Sequence, residues 1–213
     1  NHRYNLLLLT YLICSALFST VLFISSFFPI TYHSNVAANF DNIPTEINGV
    51  NLNSTTHYKP SADKVVFMVI DALRWDFVNE TYRRSMPYTT KAIRRNSACL
   101  MQAKANAPTV TMPRIKAMMT GMVSDFIDVV LNLGTNTVSS DSLLNQARLA
   151  GHKIIFYGDD TWIKLFPKIF HRYEGTTSFF VSDFTEVDQN VTRNINKELE
   201  KREDWSIMIL HYL

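Results

Sequence analysis

VVFMVID, residues 65–71, is a run of six apolar residues that ends in a carboxylate. A run that is apolar at every position is typical of a strand buried on both faces of a parallel sheet. Residues 152–157 and 205–213 repeat the pattern, and helical segments lie between the three runs. Strands that alternate with helices predict an α/β fold, with a largely parallel sheet and helices on both of its faces.

Helix signals fall between these runs. Ser85 is an expected N-cap, and either Ser140 or Asp141 is expected to cap a helix that continues to residue 150. The caps, prolines and periodicity together predict five helices. They cover residues 87–97, 112–119, from the cap at 140 or 141 to 150, 161–166 and 187–202. A further short strand is expected over residues 98–103.

The N-terminal region is apolar enough to enter a membrane. Residues 6–28 read LLLLTYLICSALFSTVLFISSFF, and no charged residue occurs between Arg3 and Asp41. A membrane-spanning helix needs about 20 apolar residues, whereas the apolar part of a signal peptide has roughly 7–15. We therefore predict a cytoplasmic end over residues 1–5, a retained transmembrane helix over 6–30 and a lumenal linker over 31–62. A folded domain is predicted over residues 63–213.

Three N-x-S/T sequons follow the apolar segment, at Asn53, Asn79 and Asn190. Each is a predicted glycosylation acceptor, and three of them after one anchor favour a lumenal or extracellular domain. The net charge is +2, which provides no strong positive field for a nucleic acid partner.

The segment APTVTMPRIKAMMTG, residues 107–121, contains an ambiguous threonine. Thr111 lies where a helix is expected to begin, with Pro113 in the first turn, so an N-cap is one interpretation. The other is a nucleophile, because a helix start also presents N–H groups to an anion. A threonine hydroxyl attacks only when a base or metal lowers its pKa. Asp71, after the first strand, is either that metal's ligand or a turn residue.

Four more polar residues are candidates for binding substrate. Arg114 and Lys116 occupy opening turns of the predicted helix, where the helix dipole disfavours cations unless an anion is bound; solvated side chains are the alternative. Asp159 and Asp160 follow the second apolar run. One of them is expected to cap a helix, and the other to contact a metal, an amine or a sugar hydroxyl.

An aromatic-rich stretch follows these aspartates. Core packing is its expected role, and a lipid-facing surface is the alternative. Its members are Leu165, Phe166, Phe170, Phe179 and Phe180.

Five segments occur together in a fixed order: VVFMVIDALRWDF (65–77), MPYTT (86–90), APTVTMPRIKAMMTG (107–121), IFYGDDTWIKLFP (155–167) and WSIMILHYL (205–213). In this combination they resemble the GPI ethanolamine phosphate transferases of the alkaline phosphatase superfamily. Residues 174–195 are most similar to the member that modifies the second mannose of the GPI glycan. The member that acts on the third mannose is the close alternative.

The resemblance implies an endoplasmic reticulum membrane enzyme whose alkaline-phosphatase-like domain lies in the lumen. Such an enzyme moves phosphoethanolamine from phosphatidylethanolamine to a mannose of the GPI precursor. By this resemblance Asp71 is a metal ligand, and Thr111 is both nucleophile and metal ligand, with two divalent ions taken to be zinc. The family also implies a small stabilising membrane subunit as a partner.

The family carries further Asp and His ligands in segments that follow the HYL motif. Residues 63–213 are therefore expected to be the N-terminal part of the catalytic domain and to be inactive alone. His211 lies inside the third apolar run, and we do not expect it to replace a missing ligand. Two alternatives stay open: a membrane phosphodiesterase with the same threonine–metal site, and a non-catalytic, membrane-anchored interaction protein.

Overall fold

The computed structural model describes residues 2–27, 37–39, 44–52, 60–78, 85–105, 109–122, 137–138, 140–177 and 185–213. The predicted sequons at Asn53 and Asn79 lie outside these ranges, as do Phe179 and Phe180.

The N-terminal apolar segment forms one long helix, α1 (His2–Phe27). Within its 24 residues from Arg3 to Ser26, the most apolar 18-residue window has a mean hydropathy of 2.3, and none of that window is buried against the rest of the chain. A helix of 26 residues rises about 39 Å, which exceeds the roughly 30 Å of a bilayer's hydrocarbon. Length and composition thus suit a membrane span.

A small hairpin follows, inside the region that the sequence predicts to be a linker. Strands β1 (Glu46–Ile47) and β2 (Val50–Asn51) pair in antiparallel register. Asn48 and Gly49 connect them, both with positive φ, as Asn-Gly hairpin turns require.

The main sheet has four parallel strands: β3 (Val65–Ile70), β4 (Ile154–Asp159), β5 (Arg172–Thr176) and β6 (Ile207–Tyr212). Their order is β3-β6-β4-β5, which confirms the predicted parallel sheet. The sequence did not predict β5, whose letters RYEGT contain no apolar run. Its lateral position explains this, because three of its five side chains are exposed.

In the described ranges, six further helices connect or follow the strands: α2 (Trp75–Val78), α3 (Pro87–Arg94), α4 (Thr111–Thr120), α5 (Leu143–Leu149), α6 (Thr161–Leu165) and α7 (Thr185–Glu200). A 3₁₀ turn, Arg202–Asp204, precedes β6. These bounds agree with the predictions to within about three residues for most elements, slightly more than the one or two residues by which assignments of helix ends differ.

Several local predictions are wrong. Residues 98–103 form no strand. Met86, not Ser85, is the N-cap residue of α3, and it makes no side-chain cap bond. Ser142 caps α5 by accepting a hydrogen bond from the Asn145 N–H at 3.1 Å. Asp141 instead accepts from the Ser142 N–H at 2.9 Å, so its carboxylate orders the turn before the cap.

Helices cover both faces of the sheet, as predicted. On one face, α4, α5 and α6 pack against Phe156 and Ile209, with Trp162 fully buried among them. On the other face, Val191 of α7 packs against residues of β4 and β6 such as Leu210. Leu165, Phe166 and Phe170 all belong to the first core, which confirms the core-packing interpretation for the described part of the aromatic stretch.

Strand β3 is less covered than its apolar sequence predicts. In the described sheet it pairs only with β6. The exposed members of the strand are 39–52% accessible: Val65, Val66, Met68 and Ile70. An apolar run predicts burial on both faces, and the described elements provide it for β4 but not for β3.

Candidate active site

The polar residues of interest gather where three parallel strands end. Asp71 directly follows β3, Asp159 ends β4, and His211 lies near the end of β6. The Asp71 N–H donates to the Tyr212 carbonyl at 2.9 Å, which extends the β3–β6 pairing by one bond. The sheet therefore fixes the backbone of Asp71 at the edge where parallel α/β sheets bind their ligands.

Asp71 and Thr111 are in direct contact. The Thr111 hydroxyl donates to Oδ2 of Asp71 at 2.6 Å across 40 residues of chain. This distance lies in the range of charge-assisted O–H···O⁻ bonds. The other carboxylate oxygen, Oδ1, accepts from the Ala72 N–H at 2.8 Å. Both oxygens of Asp71 thus have a donor, and the Thr111 oxygen has a defined direction.

Thr111 is not a helix cap. It is the first helical residue of α4, and the N-cap is the extended Val110, which has no side-chain cap bond. The capping interpretation is therefore wrong. The physical reason is that the hydroxyl donates to a carboxylate from another element rather than accepting from its own helix.

Arg114 and Lys116 are partly buried residues of α4. Arg114 lies three residues after Thr111 and so shares its helix face, whereas Lys116 is five residues on and points to a different side. The helix geometry thus favours Arg114 over Lys116 for an anion held near the Thr111 hydroxyl.

Asp159 and Asp160 differ sharply in environment. Asp159 is 1% exposed. Its Oδ1 accepts from the Thr161 N–H at 2.9 Å, and its Oδ2 is buried with no hydrogen-bond partner among the described residues. Asp160 occupies the N-cap position of α6 without a cap bond and pairs with Lys164 at 2.8 Å. Burial of Asp159 does not suit direct contact with a substrate.

His211 is a component of this site whose contacts the sequence did not reveal. It is fully buried, and Trp162 Nε1 donates to its Nδ1 at 3.2 Å. Its Nε2 lies 3.9 Å from Oδ2 of Asp71. Burial lowers the pKa of His211 below its usual 6.5, although the charges of Asp159, Asp71 and Asp188 oppose this. The imidazole is therefore neutral at physiological pH.

The side-chain oxygens of Asp71 and Thr111 are suited to form part of a metal site. The Asp71 carboxylate and Thr111 Oγ1 are oxygen donors, which hard and borderline divalent cations accept, and Oδ2 of Asp71 lies 2.6 Å from Thr111 Oγ1. Within the ranges that the structure describes, no group of three or more His, Cys, Asp or Glu residues could hold a metal ion. The described residues thus supply two donor atoms, fewer than the three or four of typical zinc sites.

Asn190 does not suit its predicted glycosylation. It is 3% exposed, and its side-chain nitrogen donates to Oε1 of Glu174. Asn194 donates to the other oxygen of the same carboxylate at 3.0 Å. A glycan on the Asn190 amide needs a surface position, and attachment there would remove a buried hydrogen bond.

Comparison with known proteins identifies several relatives of this chain that share one name. A human protein named GPI ethanolamine phosphate transferase 2, catalytic subunit, is 50% identical over 195 residues, covering 90% of this chain and 20% of the relative. Proteins named GPI ethanolamine phosphate transferase 2 match from Aspergillus fumigatus, at 53% identity over 71% of the chain, and from Schizosaccharomyces pombe, at 42% over 92%. The chain spans 20–25% of these relatives' length. No family model and no solved structure matches the chain.

Proposed function

We propose that this chain, a homologue of the GPI ethanolamine phosphate transferases over most of its length, carries the nucleophile of a phosphoethanolamine transfer reaction. The single observation that supports this is the 2.6 Å contact between the Thr111 hydroxyl and Asp71 at the carboxyl edge of the sheet. A threonine needs a partner to become a nucleophile, and the fold supplies one 40 residues away.

The proposed reaction has two displacements. The Thr111 oxygen attacks the phosphorus of phosphatidylethanolamine, an O–P bond forms, and the bond from phosphorus to diacylglycerol breaks. Diacylglycerol leaves and takes up a proton. A mannose hydroxyl of the GPI precursor then attacks the same phosphorus and frees Thr111. We assign the second mannose as acceptor, because the relatives carry the name of transferase 2.

Asp71 prepares Thr111 for this attack. Its Oδ2 already accepts a hydrogen bond from the hydroxyl, so the lone pairs of the Thr111 oxygen point away from the carboxylate. Two divalent ions, which we take to be zinc, would lower the pKa of the hydroxyl and neutralise the phosphoryl oxygens, with Asp71 and Thr111 among their ligands.

The start of α4 suits the phosphoryl group. The helix dipole places partial positive charge at its first turn, where the Thr111 oxygen is located. Arg114 follows on the same helix face and is proposed to contact the phosphate. Less direct roles are proposed for the other three candidates. Lys116 faces a different side of the helix, Asp159 is buried, and Asp160 forms an ion pair with Lys164.

The proposed location is the endoplasmic reticulum membrane, with residues 63–213 on the lumenal side. Helix α1 has the length and composition to hold the domain beside a bilayer, where both lipid substrates reside. A small membrane subunit is the proposed stabilising partner, and the net charge of +2 supports no role in binding nucleic acid.

The test uses the complete protein and phosphatidylethanolamine labelled in its ethanolamine. Label on a mannolipid supports transfer, and fragmentation of the glycan by mass spectrometry tells the second mannose from the third. Label released only as free phosphoethanolamine would replace the proposal with the phosphodiesterase alternative. No turnover of the lipid by correctly folded protein would favour the non-catalytic alternative.

A further inference from the structure

His211 leaves one buried polar atom unexplained. The residue is fully buried, and within the described part of the chain its Nε2 has no hydrogen-bond partner. A buried polar group without a partner destabilises the folded state, and such groups are rare enough in folded proteins to call for an explanation.

The neighbouring tryptophan fixes the proton on the ring. An indole N–H is a donor only, and Trp162 directs it at Nδ1 of His211 at 3.2 Å. Nδ1 therefore presents its lone pair, and the neutral imidazole carries its hydrogen on Nε2. A protonated Nε2 cannot bind a metal ion, so this arrangement makes His211 a hydrogen-bond donor and not a ligand.

Asp71 supplies a carboxylate acceptor near the Nε2 hydrogen in the described structure. Oδ2 of Asp71 lies 3.9 Å from Nε2, and the same oxygen accepts the Thr111 hydroxyl. A carboxylate oxygen accepts two hydrogen bonds, so Oδ2 has capacity for both donors. The present separation is about 0.9 Å longer than an ordinary N–H···O bond, and such bonds in ligand-free sites shorten when the reacting complex forms.

The sheet holds His211 in place for this contact. Strand β6 lies between β3 and β4, where His211 is opposite Val69 on one side and Gly158 on the other. A Cβ atom at Gly158 would lie 2.3 Å from the His211 carbonyl oxygen and 2.9 Å from its Cβ. Glycine at 158 is therefore the residue that permits this close approach of the two strands beside His211.

We propose that His211 is a positioning residue, whose Nε2–H donates to Asp71 Oδ2 and holds that carboxylate in the orientation that directs the Thr111 oxygen. The inference rests on the proposed function, because it concerns the same nucleophile. His211 is buried behind Asp71 and does not reach the substrate. Its loss therefore slows the attack step without weakening the binding of the lipid.

The test compares three variants of the complete, metal-containing protein. His211→Leu removes the donor, His211→Gln keeps an N–H at similar reach, and Leu210→Val is the control. Leu210 is the buried neighbour of His211 on the opposite face of β6, so its variant reports destabilisation of the strand without any contact with Asp71. The thermal unfolding midpoint, kcat and the KM for phosphatidylethanolamine are measured for each.

We expect His211→Leu to lower kcat about 10–100-fold, the usual effect of losing a partner that orients a metal ligand, with KM unchanged. His211→Gln recovers most of kcat, and Leu210→Val keeps it. Equal kcat in His211→Leu and Leu210→Val would overturn the proposal, as would a rise in KM in place of the fall in kcat.

A measurement on the unaltered protein covers the case in which these variants do not fold. Nitrogen NMR of ¹⁵N-histidine-labelled protein reports which ring nitrogen of His211 carries hydrogen. We expect Nε2–H, with a shift of its signal in Asp71→Asn. A hydrogen on Nδ1 overturns the inference even if the unaltered protein transfers phosphoethanolamine. Absence of transfer, by contrast, overturns the proposed function and leaves the Nε2–H assignment to be decided by the spectrum.

Discussion

At the residue scale, the site depends on which element holds each oxygen. Asp71 is tied to the sheet through its backbone and to Ala72 through Oδ1, so only Oδ2 is directed at Thr111. Thr111 is the first residue of α4, where a helix begins to restrain it. Two rigid elements thus place one hydroxyl, and such placement supplies much of the rate of an enzymatic displacement.

Thr111→Ala is predicted to abolish phosphoethanolamine transfer in the complete protein, because the attacking oxygen is removed. The cost in stability should be only about 1 kcal/mol, since Asp71 is a third exposed and water replaces the lost donor. Thr120→Ala is the control: the Thr120 hydroxyl donates to the Lys116 carbonyl at 2.8 Å and accepts from the Met122 N–H at 3.2 Å, so its bonds are local to the end of α4 and do not involve Asp71. Transfer by Thr111→Ala at the unaltered rate would rule out the nucleophile.

Asp71→Asn is predicted to lower the divalent metal content of the complete protein, because the amide keeps the shape of the carboxylate and loses its negative charge. Elemental analysis of purified protein measures this directly. Asp76→Asn provides a matched control, as Asp76 forms an exposed ion pair with Arg74 at 2.6 Å. Equal metal content in both variants would contradict the ligand role of Asp71.

At the scale of elements, the α7 helix is attached to the sheet by a polar network as well as by its apolar face. Glu198 is 5% exposed. It accepts from Arg172 of β5 at 2.6 Å and from the Tyr157 hydroxyl of β4 at 2.7 Å. Hydrogen bonding to Arg172 is the main cause that lowers the pKa of Glu198, and burial raises the pKa of Tyr157. One carboxylate thus connects α7, β4 and β5.

Glu198→Gln is predicted to destabilise the fold by about 2 kcal/mol, because the neutral amide leaves Arg172 without its buried counter-charge. The thermal unfolding midpoint of purified protein measures this. Glu200→Gln is the control on the same helix, where the exposed side chain should change stability by less than about 0.5 kcal/mol. Equal midpoints for the two variants would show that the network contributes no stability.

The hydrogen-bond network around Glu198 predicts that the stability of the fold depends on pH. The folded state lowers the pKa of Glu198 below 4.5, so the unfolded state binds its proton more readily. The stabilisation is therefore complete above about pH 4.5 and is lost as the pH falls through the lower, folded pKa. The unfolding midpoint of unaltered protein should fall more steeply below pH 4.5 than that of Glu198→Gln. Parallel curves would contradict this assignment.

Elements differ in how well the sequence predicted them. Helix α7 was predicted to within two residues at each end, because its apolar positions repeat with helical spacing. Strand β5 was missed, since RYEGT contains no apolar run and three of its five residues are exposed. The cap of α5 was misplaced because Ser140, Asp141 and Ser142 are all good N-cap types, and only the structure shows Asn145 donating to Ser142.

At the scale of the whole molecule, the sequence predicted the sheet and one part of the site. Apolar runs gave the parallel strands, and the carboxylate after β3 gave the edge that holds Asp71. The contacts of His211 were not predictable, because Trp162 and Asp71 are far from it in sequence and approach it only through the strand order β3-β6-β4. The burial of Asn190 was also not predictable from the sequence, since its acceptor Glu174 is on another element.

Residues 60–213 expressed alone are predicted to self-associate. Among the described residues, strand β3 is an apolar edge strand that pairs only with β6, and unpaired edges of this kind join other sheets. Light scattering after size-exclusion chromatography measures the association. Val66→Lys combined with Met68→Lys should reduce it, because both residues lie on one face of the edge strand and charge there opposes pairing. A monomeric, unaltered segment would contradict the prediction.

Because β3 pairs with β6, strand β3 stays without its partner during much of the chain's synthesis. Val65 pairs with Ile207, about 140 residues later, and ribosomes add about 5–20 residues per second. The first strand of the sheet therefore leaves the ribosome roughly 7–28 s before its neighbour exists. During that interval the apolar segment VVFMVI lacks its partner strand, and exposed apolar strands of this kind are prone to aggregation while a chain is being synthesised.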